Sequence, residues 1–87
     1  MIETVRRLLQ EHGRLYSPIE TLANDADLYD AGLTPFAAIR TMLAIEEAFD
    51  LEFPVKMLRR QSFATIDAIV DCLTELRPEA AETRQAA

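Results

Sequence analysis

Eighty-seven residues with a net charge of −6 make one domain with a modest core, too small to enclose a substrate cavity and its own catalytic apparatus, so an enzyme is not expected. Hydrophobic residues supply 49% of the chain, only two residues are glycine, and the apolar set is mostly Leu, Ile and Ala, so the expected class is all-α. The lone Cys72 excludes an internal disulfide, no apolar run is long enough for a signal peptide or a membrane span, and the expected compartment is the cytoplasm.

Ile2, Val5, Leu8 and Leu9 recur at helical spacing with Glu3, Arg6, Arg7, Gln10 and Glu11 off that stripe. This predicts a first helix to about His12, stopped by Gly13. Arg14 to Leu33 has no sustained period and contains Pro18, Asn24, Asp25, Asp27, Asp30 and Gly32. A loop of that length must be tied down in so small a domain, and Leu15, Ile19, Leu22, Leu28 and Tyr29 are the candidate apolar pegs of an ordered crossover.

Thr34-Pro35 is a local helix start, with a threonine oxygen as N-cap acceptor and a proline at the first helical position, where its missing N–H leaves nothing unpaired. The second helix is expected from Pro35 to about Phe49. Phe36, Ile39, Met42, Leu43, Ile45 and Phe49 cover a broad arc, so it is expected to be central and to touch both other long helices. Glu46 falls within that arc, which requires either a rotation or bend of the helix or a carboxylate at the arc's edge.

Asp50 to Pro54 breaks the pattern. Val55 to about Arg60 is expected to form a short fourth helix that buries Val55 and Leu58 with Met57 beside them. Ser62 or Thr65 then caps a last helix whose Ile66, Ile69, Val70, Leu73 and Leu76 share a face opposite Asp67, Asp71, Thr74 and Glu75, ending near Pro78. The domain is thus expected over residues 1–77. The tail, residues 78–87, lacks large apolar groups and is expected to be disordered.

Charge is unevenly placed. Met1 to Ile19 sums to +1, Glu20 to Phe53 to −7, and Pro54 to Ala87 to zero. An acidic middle third repels nucleic-acid phosphates and anionic lipid and favours partners that present Lys and Arg, although such charges also serve simple solubility. No nucleic-acid or membrane partner is expected, and the chain is expected to be a monomer.

Few residues suggest chemistry. His12 has no metal-ligand cluster around it, and Cys72 falls at the margin of an apolar face with no base indicated. Asp25, Asp27 and Asp30 miss the glycine and the terminal glutamate of a calcium loop. Glu46 and Glu47 point about 100° apart on a helix and do not pair for acid–base work. No catalytic residue and no metal site are expected.

Taken in order, the stretch from Asp27 through Gly32-Leu33-Thr34-Pro35-Phe36, the run Met42 to Pro54, and the segment Phe63 to Ile69 resemble the acyl carrier protein family over about Ile2 to Leu76. The resemblance implies a bundle of three longer helices and one short one, with a long ordered loop between the first two. It also implies 4'-phosphopantetheine bearing an acyl or aminoacyl thioester, with no catalysis by the protein itself. Partners would be acyl or aminoacyl ligases, synthases or transferases and a phosphopantetheinyl transferase, meeting the second helix and the loop before it. On that basis Asp30, Phe36, Glu46, Glu47 and Asp50 are the partner-facing candidates, with Arg40 as a departure in charge that alters partner choice.

A second departure lies at the functional centre. Aligning Gly32 with the family glycine sets Thr34 on its aspartate and Pro35 on its modified serine, and proline has no hydroxyl. Thr34 is the alternative acceptor, one residue early and already committed as an N-cap. Ser17 and Ser62 lie in other contexts. Two readings follow: a carrier lineage with an altered acceptor, or a non-loaded homologue that acts as an interaction or regulatory module through its acidic second helix.

Overall fold

The computed structural model describes residues 1–77, and the tail at 78–87 lies outside the described residues. Three α-helices follow one another: α1 (Ile2–His12), α2 (Pro35–Phe49) and α3 (Ile66–Leu76), with short 3-10 turns at Ile19–Thr21, Val55–Met57 and Arg60–Phe63. No strand occurs among the described residues.

The caps lie where local chemistry puts them. Thr34 and Thr65 each hold an extended backbone and accept, through the side-chain oxygen, from the amides of Ala37 and Ala68 at 3.1 and 2.9 Å. The stop at Gly13 has a different basis from the expected one. Gly13 itself stays in right-handed geometry and Arg14 takes the positive φ of 53°, while a Cβ on Gly13 would stand 2.6 Å from the Leu9 carbonyl oxygen.

Val5 and Leu9 of α1, Leu28 of the crossover, Ile45 of α2 and Ile66, Ile69 and Leu73 of α3 form the driest part of the core. It is α1, rather than the expected α2, that packs broadly against both other helices. The reason lies in the faces of α2. Its buried residues are Ala37, Ala38, Thr41 and Ile45, a narrow stripe of mostly small side chains that lets α1 approach closely. Phe36, Ile39 and Leu43, expected in the buried arc, are exposed.

The segment after α2 also departs from expectation. In place of one short helix there are two 3-10 turns separated by Leu58 and Arg59. The tighter turns direct Met57 inward, whereas Val55 is 84% and Leu58 47% exposed, so these two do not serve the core as expected. Phe53 and Phe63 close this side, with ring centroids 5.5 Å apart in an edge-on arrangement.

The crossover is ordered, and its pegs behave as the sequence suggests: Ile19 and Leu28 are buried and Leu15, Leu22 and Tyr29 pack against the core. Polar ties complete the anchoring. The Arg6 guanidinium donates to the carbonyls of Ile19 and Leu22, both at 2.9 Å, and to Asn24 Oδ1 at 2.6 Å. Gln10 accepts from the Ile19 amide at 2.7 Å, and the Asn24 carbonyl accepts from the Asp67 amide at 3.0 Å. Replacement of Arg6 by alanine removes three charge-assisted bonds and strands loop carbonyls. It should lower stability by about 2–3 kcal/mol in urea unfolding, whereas Arg7→Ala, on an exposed i,i+4 pair, should change it by less than about 0.5 kcal/mol.

Candidate functional site

The junction between the crossover and α2 is built by four successive residues. Gly32 holds φ at +113°, which calls for glycine, and a Cβ there would also press on the exposed Tyr16 ring at 3.0 Å. Leu33 is buried and its amide donates to the Leu28 carbonyl at 2.9 Å, which turns the chain back on itself. Thr34 is the cap and Pro35 the first helical residue, both exposed. The only side-chain oxygen at this start is that of Thr34, and it accepts from the Ala37 amide. Residue 35, a proline, offers no hydroxyl.

Beside Pro35 an open and largely apolar cleft of about 580 Å³ runs between α2 and the connector that leads to α3, residues 50–65. Ala38, Ile39 and Met42 form one wall, and Leu58, Phe63 and the arginines at 59 and 60 the other, with Tyr29 at its edge. The Arg60 guanidinium carbon lies 3.8 Å from the centre of the Tyr29 ring, whose hydroxyl donates to the Arg60 carbonyl at 2.8 Å. On the outer side, Arg40 stands 5.8 Å from the centre of the Phe36 ring. Burial pushes the Tyr29 phenol above its ordinary value of 10.0, with Arg60 opposing and Asp27 assisting the shift.

The candidate partner residues fall into distinct situations. Asp30, Phe36, Arg40, Glu47 and Asp50 are exposed. Glu46 is half-buried and its carboxylate turns to the exit of α2, accepting from the Phe53 amide at 2.8 Å, so its place in the apolar arc is explained by an internal partner. Asp50 ends α2 in left-handed geometry, φ 52°, with its amide on the carbonyls of Glu46 and Glu47 and its own carbonyl accepting from Arg77. Asp27, exposed like Asp30, accepts from the amides of Tyr29 and Asp30 at 2.8 and 3.2 Å. Ser62 is buried and Ser17 exposed. Among the described residues no group of acidic, histidine and cysteine side chains is placed to hold a metal ion, and no helix is long and apolar enough to cross a membrane. The arginines at 59 and 60, absent from the sequence-based candidates, are brought to the site by the connector.

A family model described as the phosphopantetheine attachment site matches residues 2–73. The aminoacyl carrier protein of Agrobacterium fabrum is 54% identical over 71 residues, 82% of this chain and 86% of that protein. The D-alanyl carrier protein of Streptococcus sanguinis is 37% identical over 54 residues, 61% and 68% of the two chains. In the crystal structure of an engineered Bradyrhizobium japonicum glycine:[carrier protein] ligase complexed with AMP and a carrier protein from Agrobacterium tumefaciens, one chain is similar to this protein. The TM-score is 0.83 and the identity 51%, covering 85% of this chain and 99% of that one.

The raised Tyr29 phenol has a definite consequence. Folding favours its neutral form, so the stability it contributes is present below the unfolded pKa of about 10 and is lost as pH rises through the higher folded value. Urea unfolding above pH 10 should therefore show stability falling with pH, and Tyr29→Phe should make that fall shallower.

Proposed function

We propose, from the premise that this chain belongs to the phosphopantetheine attachment-site family of carrier proteins, that it is an aminoacyl-type carrier. Its docking apparatus is intact, and its residue 35 is not a loading site. The supporting observation is the start of α2: a glycine-turned loop, a threonine cap and a proline at an exposed first helical position beside an apolar cleft; the Gly32 register proposed for this stretch puts that proline on the family's modified serine.

The family's 4'-phosphopantetheine is held by a phosphodiester to a hydroxyl, and Pro35 cannot form that bond. Thr34 is a poor substitute. Its oxygen is engaged by the Ala37 amide, and modifying it would disturb the cap, which is worth about 1 kcal/mol. The matching family model is described as a phosphopantetheine attachment site, and two of the relatives are named for aminoacyl and D-alanyl cargo. That naming, together with the likeness to a carrier seen with a glycine ligase, supports amino acid:carrier protein ligases as the partner class. The protein does no chemistry of its own in this reading; its residues orient and dock.

The second reading, an interaction module that meets carrier-recognising enzymes without cargo, is favoured by the same proline. It takes the unloaded state as the chain's working state, so that docking and not cargo is its role. Structurally the exchange is mild, because proline at the first helical position fits the required φ and deletes only an N–H that has no intrahelical acceptor. Incubation with coenzyme A and a broad phosphopantetheinyl transferase, followed by intact mass measurement, separates the possibilities. The wild-type chain should gain nothing and Pro35→Ser should gain the mass of one arm. A gain in the wild type, lost in Thr34→Val, would move the acceptor to Thr34, and failure of Pro35→Ser to gain would remove residue 35 as the family's attachment position.

A further inference from the structure

The sequence directs attention to the acidic middle of the chain, yet the lining of the cleft beside Pro35 contains two arginines and no carboxylate, the nearest acids in sequence being Asp27 and Asp30 of the loop before it. Arg59 and Arg60 line the cleft on the connector side. At about 100° per residue, Ile39, Leu43 and Phe36 form a ridge along α2 from the cleft outward, and Arg40 stands beyond it. Phe36 is 67% exposed, and Ile39 and Leu43 each 54%. An apolar strip is thus flanked on both sides by guanidinium groups.

None of the three arginines makes an ion pair or donates a side-chain hydrogen bond to another described residue. Two of them instead lie on aromatic rings, Arg40 on Phe36 and Arg60 on Tyr29, which holds a guanidinium in place while leaving its edge donors available. By contrast Lys56, on the same connector, is 3.6 Å from Glu75 and already has a counter-ion. The acidic groups of α2, Glu46 and Glu47, and its cap Asp50 lie toward the far end of the helix, where they line a second cleft beyond Leu43. Exposed apolar side chains contiguous over a helix and a connector, with positioned and uncompensated cations at the rim, are the features of a protein interface rather than of a solvated face.

We propose that this face docks a partner surface that brings carboxylates to Arg40, Arg59 and Arg60 and an apolar side chain into the cleft beside Pro35. The partner rests on the reading above, an amino acid:carrier protein ligase, and the inference adds the sign of its contact: acidic around an apolar projection, where the acidic second helix alone would call for a basic one. Charge complementarity carries the assignment, since a basic partner would meet three unpaired cations across an apolar contact where little water remains to screen them.

The test uses the engineered glycine:[carrier protein] ligase as probe, with binding of the unmodified full chain measured by calorimetry at two salt concentrations. Arg59→Glu/Arg60→Glu and, separately, Arg40→Glu should each weaken binding at least about tenfold, while Glu3→Lys/Asp71→Lys, exposed on α1 and α3, should change it less than about twofold. The two arginine variants sit on different elements, and thermal unfolding verifies that each is folded. Full binding by both arginine variants, or loss confined to the lysine variant, overturns this inference and leaves the ligase reading standing. Absence of binding by the wild-type chain overturns both.

Discussion

The Arg6 guanidinium holds together what the helices alone would not. Twenty-two residues, 13–34, separate α1 from α2 with only one short 3-10 turn between them, and such a segment loses much of its backbone entropy on ordering. Arg6 offsets part of that cost by capturing two loop carbonyls and Asn24 at once, while the Asn24 backbone reaches Asp67 at the start of α3. The end of the crossover, from Leu28 to Leu33, is thereby set against α3's lead-in through the Leu28 amide and the Ala64 carbonyl. The position of Pro35 in space is the end of this chain of constraints.

That sequence of dependencies explains why residue 35 can change without damage. Gly32, Leu33 and Thr34 set the direction of α2 before the chain reaches it, and position 35 contributes only a φ value and an outward side chain. Fold and cargo are therefore separable here. Under the proposed reading a hydroxyl at 35 would serve loading alone, whereas the helix start needs nothing from that side chain beyond compatibility with helical φ.

The helices were legible because their signals are local. Thr34-Pro35 and Thr65 are caps whose partners lie three residues away, and the stripes on α1 and α3 repeat at helical period. What was not legible depends on contacts distant in sequence. Nothing near Arg6 indicates that its acceptors are carbonyls 13 and 16 residues on. Glu46 could be placed only ambiguously because its partner is an amide beyond the helix end. Val55 and Leu58 were assigned to the core on a helical period that the 3-10 turns do not follow. The arginine-rim face was hidden by averaging: Arg59 and Arg60 belong to a segment of zero net charge, and only the fold sets them across the cleft from α2.

If the start of α2 is independent of residue 35, as the proposed function requires, amide spectra of the wild-type chain and Pro35→Ser show it most directly. Shift changes should be confined to about Leu33 to Ile39, with the Ala37 amide slow to exchange in both proteins because Thr34 holds it. Changes spreading to Arg6, Asn24 and Leu73, or loss of Ala37 protection in the serine variant, would mean that the proline itself makes the helix start, and the separation of fold from loading would fail.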